Sequence, residues 1–125
     1  MINDEIDKLK GFMPKHEGMA LTKWSKKFSS IGPIMEIGSY CGKSAIYLSR
    51  GAILNDQFVY TIDHHFGSEE HQINEEYFDD EIFDRINQRV DTLPLLIKNI
   101  NKIKVNNVVP IISNSIDIAS RWNTE

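Results

Sequence analysis

Residues 34–50 restrict the fold more than any other part of the chain. Ile34-Met35-Glu36-Ile37 is a short apolar run closed by Gly38, and after Gly42 the apolar residues Ala45, Ile46 and Leu48 recur at helical spacing. A buried strand that turns through glycines into a helix opens a β-α-β unit, and such units build parallel sheets with helices on their faces. A second strand follows at residues 58–63, Phe58-Val59-Tyr60-Thr61-Ile62-Asp63, rich in β-branched and aromatic residues and ending on an acid. A third is expected at Val108-Val109-Pro110-Ile111-Ile112. Its proline cannot donate to a ladder, which places this strand at a sheet edge.

Helical spacing also marks residues 2–12 (Ile2, Ile6, Leu9), 17–30 (Met19, Leu21, Trp24, Phe28) and 92–104 (Leu95, Leu96, Ile100, Ile103, with Pro94 in the first turn). A last helix is expected over 115–122, with Asp117 near its positive end. Trp24 and Trp122 are expected in the core. Residues 64–90 hold no period, and irregular stretches of that length inside a compact domain are usually functional or mobile. The expected organisation is a helical segment over 1–30 and a partial α/β domain over 31–125, the first strand lying beside the second and the second beside the third. Three strands leave the first with a bare side, and Arg121-Trp122-Asn123-Thr124-Glu125 brings no returning strand. Truncation after the third strand is therefore expected. A bare edge is also a template for association, which leaves a homo-oligomer open.

Composition removes several classes of function. The formal net charge is −4 and no Lys/Arg run is present, so nucleic acid is not an expected partner. No apolar run approaches the ~18–20 residues that span a bilayer, and the N-terminus has no basic-then-apolar leader. Cys41 is the single cysteine, which rules out an internal disulfide and suits a reducing compartment. A cytoplasmic protein is the expectation.

Residues 36–44, Glu36-Ile37-Gly38-Ser39-Tyr40-Cys41-Gly42-Lys43-Ser44, carry the most chemistry. Two glycines let the backbone approach a ligand, and exposed N–H groups at the helix start offer donors to a polar or anionic group. Many ordinary tight turns share that spacing. Asp63 adds a second mark, because it ends the second strand twenty-one residues after Gly42, where doubly wound folds set an acid against a ribose hydroxyl pair. A carboxylate suits that task since both oxygens accept hydrogen bonds. A plain strand-terminating acid is the other reading.

The same nine residues resemble motif I of class I S-adenosylmethionine-dependent methyltransferases, in the E-x-G-x-Y-x-G-x-S form of catechol and caffeoyl-CoA O-methyltransferase-like enzymes. Thr61-Ile62-Asp63-His64-His65-Phe66-Gly67-Ser68-Glu69-Glu70-His71-Gln72, with Asp91-Thr92-Leu93-Pro94, is similar to methyltransferase family 24. The likeness runs from about Gly11 to Trp122. It implies a Rossmann-like methyltransferase fold, S-adenosyl-L-methionine as cofactor, and methyl transfer to a small-molecule acceptor through oxygen. It further implies cofactor contacts from Glu36, Gly38, Ser39, Tyr40, Gly42, Ser44, Asp63, His64 and Ser115. Among these, Glu36 and Gly38 would face the methionine part, Asp63 the ribose and Ser115 the adenine, while Met19 would sit on a helix laid over the cofactor. Asn114 departs from the acid or glycine-acid pair that related enzymes carry there. The family's fourth strand, ending in an F-I-D-G-x-H-type segment with catalytic or metal-binding acids, has no match in the chain. The 125 residues are therefore expected to bind cofactor without turnover.

The histidines admit other readings. His64, His65 and His71 are candidate acid/base groups because imidazole titrates near neutrality. Asp63-His64-His65 also matches the triplet of the DHH metallo-phosphoesterases, but the earlier aspartate motif of that family is absent. No metal ligand is assigned, and a divalent metal is not supported by the residues present. A non-catalytic adenosyl or dinucleotide-binding module is the remaining alternative, although the G-x-G-x-x-G spacing is missing. Cys41 could be a nucleophile at a helix N-terminus or, more simply, small apolar filler. Acidic residues 75–84 read as a solvated loop.

Overall fold

The computed structural model describes residues 2–122, with side chains from Asp4 onward. Ile2, counted above on the apolar face of the first helix, and residues 123–125 lie outside the described side chains. The elements run α1 (Ile2–Asp7), α2 (Lys15–Phe28), β1 (Ile34–Ile37), α3 (Lys43–Ala52), β2 (Val59–Asp63), β3 (Phe83–Asp84), β4 (Arg89–Val90), α4 (Leu93–Ile103), β5 (Val108–Ile112) and α5 (Ser115–Arg121). β1, β2 and β5 form a parallel sheet in the order β1-β2-β5. The expected neighbours thus hold, and Pro110 does sit on an edge strand, opposite Thr61.

Local chemistry accounts for several of these boundaries. Gly42 opens α3 at φ 91, a left-handed value that an L side chain adopts only under strain. Pro94 occupies the first turn of α4, where its missing N–H costs nothing, and Lys104 closes that helix at φ 60. The Asn114 side chain caps α5 by accepting from the Asp117 N–H at 2.8 Å. The first helix is shorter than its apolar spacing implied. It ends at Asp7, and the chain then turns through Gly11 to reach α2.

One core group joins Ile6 and Leu9 to Ile46 and Tyr47, so α1 is sealed onto α3. Between α2 and α3 the contact is made by small residues. A methyl on Gly51 would meet the Thr22 carbonyl oxygen at 2.3 Å, and one on Gly18 would meet the Tyr47 ring at 2.2 Å. Ser25 and Thr22 donate across this seam to the carbonyls of Leu48 and Tyr47, at 2.5 and 2.7 Å. Such close approach turns the larger residues of α2 outward, and this corrects the expectation for Trp24. Its indole is half exposed, stacked on Phe28 with Lys27 over the ring. Trp122 is also partly exposed and meets Tyr60 edge-on at 6.1 Å.

The long segment after β2 has more order than its sequence suggests. Single helical turns at Glu69–His71 and Asp80–Ile82 precede the two-residue strands β3 and β4, which pair antiparallel. Ile82 and Val90 bury themselves with Cys41 in a second core group. On β1 burial alternates, leaving Met35 and Ile37 exposed. No helix among the described residues is long and apolar enough to cross a membrane.

Candidate functional site

At the carboxyl ends of β1 and β2 the chain encloses a cleft of about 460 Å³. Doubly wound sheets place ligands at this position. Its floor is the turn Gly38, Ser39 and Tyr40 with Lys43 and Ser44 from the start of α3; Asp63 and His64 follow from β2. The opposite wall comes from Gly67, Ser68 and His71 of the long segment, with Thr92. Gly11, Phe12 and Met13 close it from the N-terminal side.

Gly38 has φ +92, and nothing lies within 4 Å of where its Cβ would stand. That open volume belongs to the cleft, so a side chain here would occupy ligand space. Its N–H is spent on the Ile62 carbonyl at 2.8 Å, which ties the turn to β2. Gly42 has almost the same φ, but its Cβ would strike Leu96 Cδ1 at 2.4 Å. The second glycine of the motif therefore serves the packing of α4, and it does not line the cleft. From the same helix Asn99 donates to the Cys41 carbonyl at 2.8 Å, bracing the turn from behind.

The Asp63 carboxylate is held in place by backbone: Oδ2 accepts from the Tyr40 N–H and Oδ1 from the His65 N–H, both at 2.9 Å. Each oxygen keeps capacity for a further donor, and Asp63 lines the cleft. These bonds also hold Tyr40 at φ 48 and His65 at φ 70, left-handed conformations that non-glycine residues adopt at a cost. The Tyr40 ring stacks on His71 at 5.4 Å and lies 5.6 Å from Phe12. Burial pushes its phenol up to about 12, so the hydroxyl remains protonated at neutral pH.

Glu36 sits beneath this floor rather than in it. The β1–β2 register sets it beside Thr61, whose hydroxyl donates to Oε1 at 2.8 Å, while Ser44 donates to Oε2. Thr61 also meets Ser39 Oγ at 2.5 Å. Burial raises the Glu36 carboxyl above its ordinary value, and the Ser44 and Thr61 donors offset this only in part. Its role in the structure is to tie the start of α3 and Ser39 to β2.

The three candidate histidines separate. His64 Nδ1 accepts from the Phe66 N–H at 2.9 Å, and His71 Nδ1 accepts from the Ser68 N–H at 3.2 Å. Nδ1 of each ring is thus engaged by the local backbone, and Ser68 Oγ also lies 2.9 Å from His71 Nδ1. Both line the cleft. His65 turns inward: it is 2% exposed, its Nδ1 lies 2.7 Å from Thr92 Oγ1, and burial lowers its pKa. Asp63-His64-His65 is thus not gathered into one ligand set, and no group of three His, Cys, Asp or Glu side chains converges as a metal site among the described residues.

Ser115 is exposed in the first turn of α5, outside the cleft walls. Met19 is likewise exposed on α2, and it is the loop with Phe12 that overhangs the cleft. Cys41 is fully buried and its thiol is pushed up to about 12 by that burial. It is filler, and the nucleophile reading fails. Phe12 was missed in the sequence because Gly11 and Pro14 read as mere punctuation. Lys10 was missed as well. Burial lowers its ammonium pKa, but its hydrogen bonds to the Asp79 and Glu81 carboxylates more than reverse this and hold it above the ordinary value. That pairing ties the N-terminal loop to the long segment across the cleft.

No family model matches the chain. Solved structures do. The cofactor-bound crystal structure of Rv0187 from MTB superposes with a TM-score of 0.60 at 16% identity, over 97% of this chain and 44% of that one. The O-methyltransferase from Bacillus cereus in complex with SAH gives 0.58 at 19% identity, over 98% of this chain and 46% of that one. The chain therefore has the Rossmann-like fold of these proteins and spans less than half their length.

Proposed function

We propose that the chain is the cofactor-binding portion of an S-adenosylmethionine-dependent methyltransferase acting on oxygen in a small molecule, in the manner of methyltransferase family 24. The observation that carries the proposal is the pairing, in one cleft, of the open left-handed Gly38 turn with the backbone-anchored Asp63 carboxylate. The shared fold with a SAH-complexed O-methyltransferase supports it.

The residues fit the cofactor on their own geometry. Gly38 leaves room for a chain to lie against the turn, and the free lone pairs of Asp63 suit vicinal hydroxyls. Ser39 and Tyr40 would line the methionine side, and the His64 ring would lie beside the ribose end. Ser115, in the first turn of α5 and outside the walls of the first cleft, would meet the adenine. Glu36 would act from below, by fixing Ser44 and Ser39. When bound, S-adenosylmethionine supplies an activated methyl group on a sulfonium. The part of this chain is to orient that group, through the Gly38 turn and the anchored Asp63 carboxylate. Binding without turnover is accordingly proposed for these 125 residues.

Calorimetric titration with S-adenosylhomocysteine and, separately, NAD tests the reading. Saturable binding of the homocysteine ligand in preference to NAD is expected. NAD binding in its place would overturn it and favour a dinucleotide module.

A further inference from the structure

Beyond Phe12 and His71 the cleft continues into a second hollow of about 410 Å³, walled by Phe12, Glu70, His71 and Tyr77. We infer that this hollow is the acceptor side of the site and that it selects a small organic cation, a protonated amine on a slim or flat carbon frame. The inference rests on reading the first cleft as the cofactor site.

Three of the four walls are rings in mutual contact. Phe12 meets Tyr77 edge-on at 5.8 Å and lies 6.3 Å from His71. Aromatic faces are electron-rich and attract cations, by about 0.5–1 kcal/mol at exposed positions such as Phe12 and Tyr77. The fourth wall is a carboxylate. Glu70 makes no ion pair among the described residues, and its carbonyl accepts the Tyr77 N–H at 2.8 Å, which fixes that ring beside it. The neighbouring cations are engaged elsewhere. Lys10 is shared by Asp79 and Glu81, Arg85 pairs with Asp80, and Arg89 lies on the Phe66 ring at 4.8 Å. The hollow thus sets aromatic faces beside one carboxylate that has no ion pair, which disfavours a carboxylate or phosphate on the acceptor and gives a neutral ring stacking alone.

The test is titration of the full chain with tyramine, its neutral analogue 4-ethylphenol and its anionic analogue 3-(4-hydroxyphenyl)propionate, with and without S-adenosylhomocysteine. Tyramine is expected to bind tightest, by about threefold to tenfold over 4-ethylphenol. Glu70→Gln should abolish that margin while leaving 4-ethylphenol binding unchanged, and Tyr77→Leu should weaken tyramine several-fold. Equal binding of the three ligands, or a tyramine preference that survives Glu70→Gln, overturns the inference. Displacement of tyramine by S-adenosylhomocysteine also overturns it, because the cation would then lie in the first cleft. If the homocysteine ligand fails to bind while the Glu70-dependent preference persists, the cation site stands and the cofactor reading falls.

Discussion

Gly38→Ala and Gly42→Ala form a matched pair that separates ligand space from packing space. Both glycines have nearly equal φ, +92 and +91, so an alanine at either pays the same left-handed strain, about 1–2 kcal/mol. At Gly38 the added methyl meets nothing within 4 Å. At Gly42 it meets Leu96 Cδ1 at 2.4 Å, and Leu96 is fully buried with little room to yield. Overpacking of that kind adds about 1–3 kcal/mol, for a total of about 2–5 kcal/mol. For a domain of this size 1 kcal/mol moves the melting temperature by roughly 4 °C. Gly38→Ala should thus lower it by roughly 4–8 °C and Gly42→Ala by roughly 8–20 °C. Affinity should reverse the order. The Gly38 methyl intrudes on the ligand and should cost about tenfold or more in S-adenosylhomocysteine binding, whereas folded Gly42→Ala should stay within about twofold of the parent. Melts by circular dichroism and calorimetric titration read both effects. Equal losses of stability, or unimpaired binding in Gly38→Ala, would refute the reasoning.

Glu36 has a raised pKa, so its contribution to stability is full below its ordinary 4.5 and is lost as pH rises through the raised value. Glu36→Gln, which stays neutral, should be more stable than the parent at pH 7 and lose that advantage below pH 4.5; urea midpoints at the two pH values check this. For buried His65, whose pKa is lowered from 6.5, stability is present above 6.5 and is lost as pH falls through the lowered value. His65→Asn should flatten that part of the acid transition, and an unchanged pH profile would contradict the assignment. Lys10→Met should speed hydrogen exchange at the Tyr77 N–H while changing global stability by less than about 1 kcal/mol, as expected for partly exposed ion pairs. Exchange at the parent rate would show that other contacts hold the loop.

The strands, α3 and the first cleft marker were readable because their signals are local. Ile34–Ile37 and Val59–Asp63 are short β-rich runs ended by a glycine and an acid, and each feature lies within a few residues of the element it specifies. The segment after His64 was unreadable because its order is supplied from a distance. Ile82 and Val90 are ordered by burial against Cys41, and Asp79 by Lys10. Trp24 misled because aromatic residues at helical spacing normally mark a buried face; here Gly18 and Gly51 draw α2 and α3 together too closely for an indole between them. Nothing in the sequence distinguishes His64 from His65. Only the fold turns one into the cleft and the other onto Thr92. Gly42 was legible as essential, but its reason, Leu96, lies fifty-four residues away.

The central claim is that the ends of β1 and β2 hold an adenosyl ligand. Mapping backbone amide shifts by NMR while adding S-adenosylhomocysteine tests it most directly. Saturable shifts are expected to concentrate at Gly38, Ser39, Tyr40, Asp63 and His64, with a smaller response at Phe12. Shifts confined to the exposed residues Met35 and Ile37 of β1 and Phe58 just before β2, or no shifts at millimolar ligand, would contradict it.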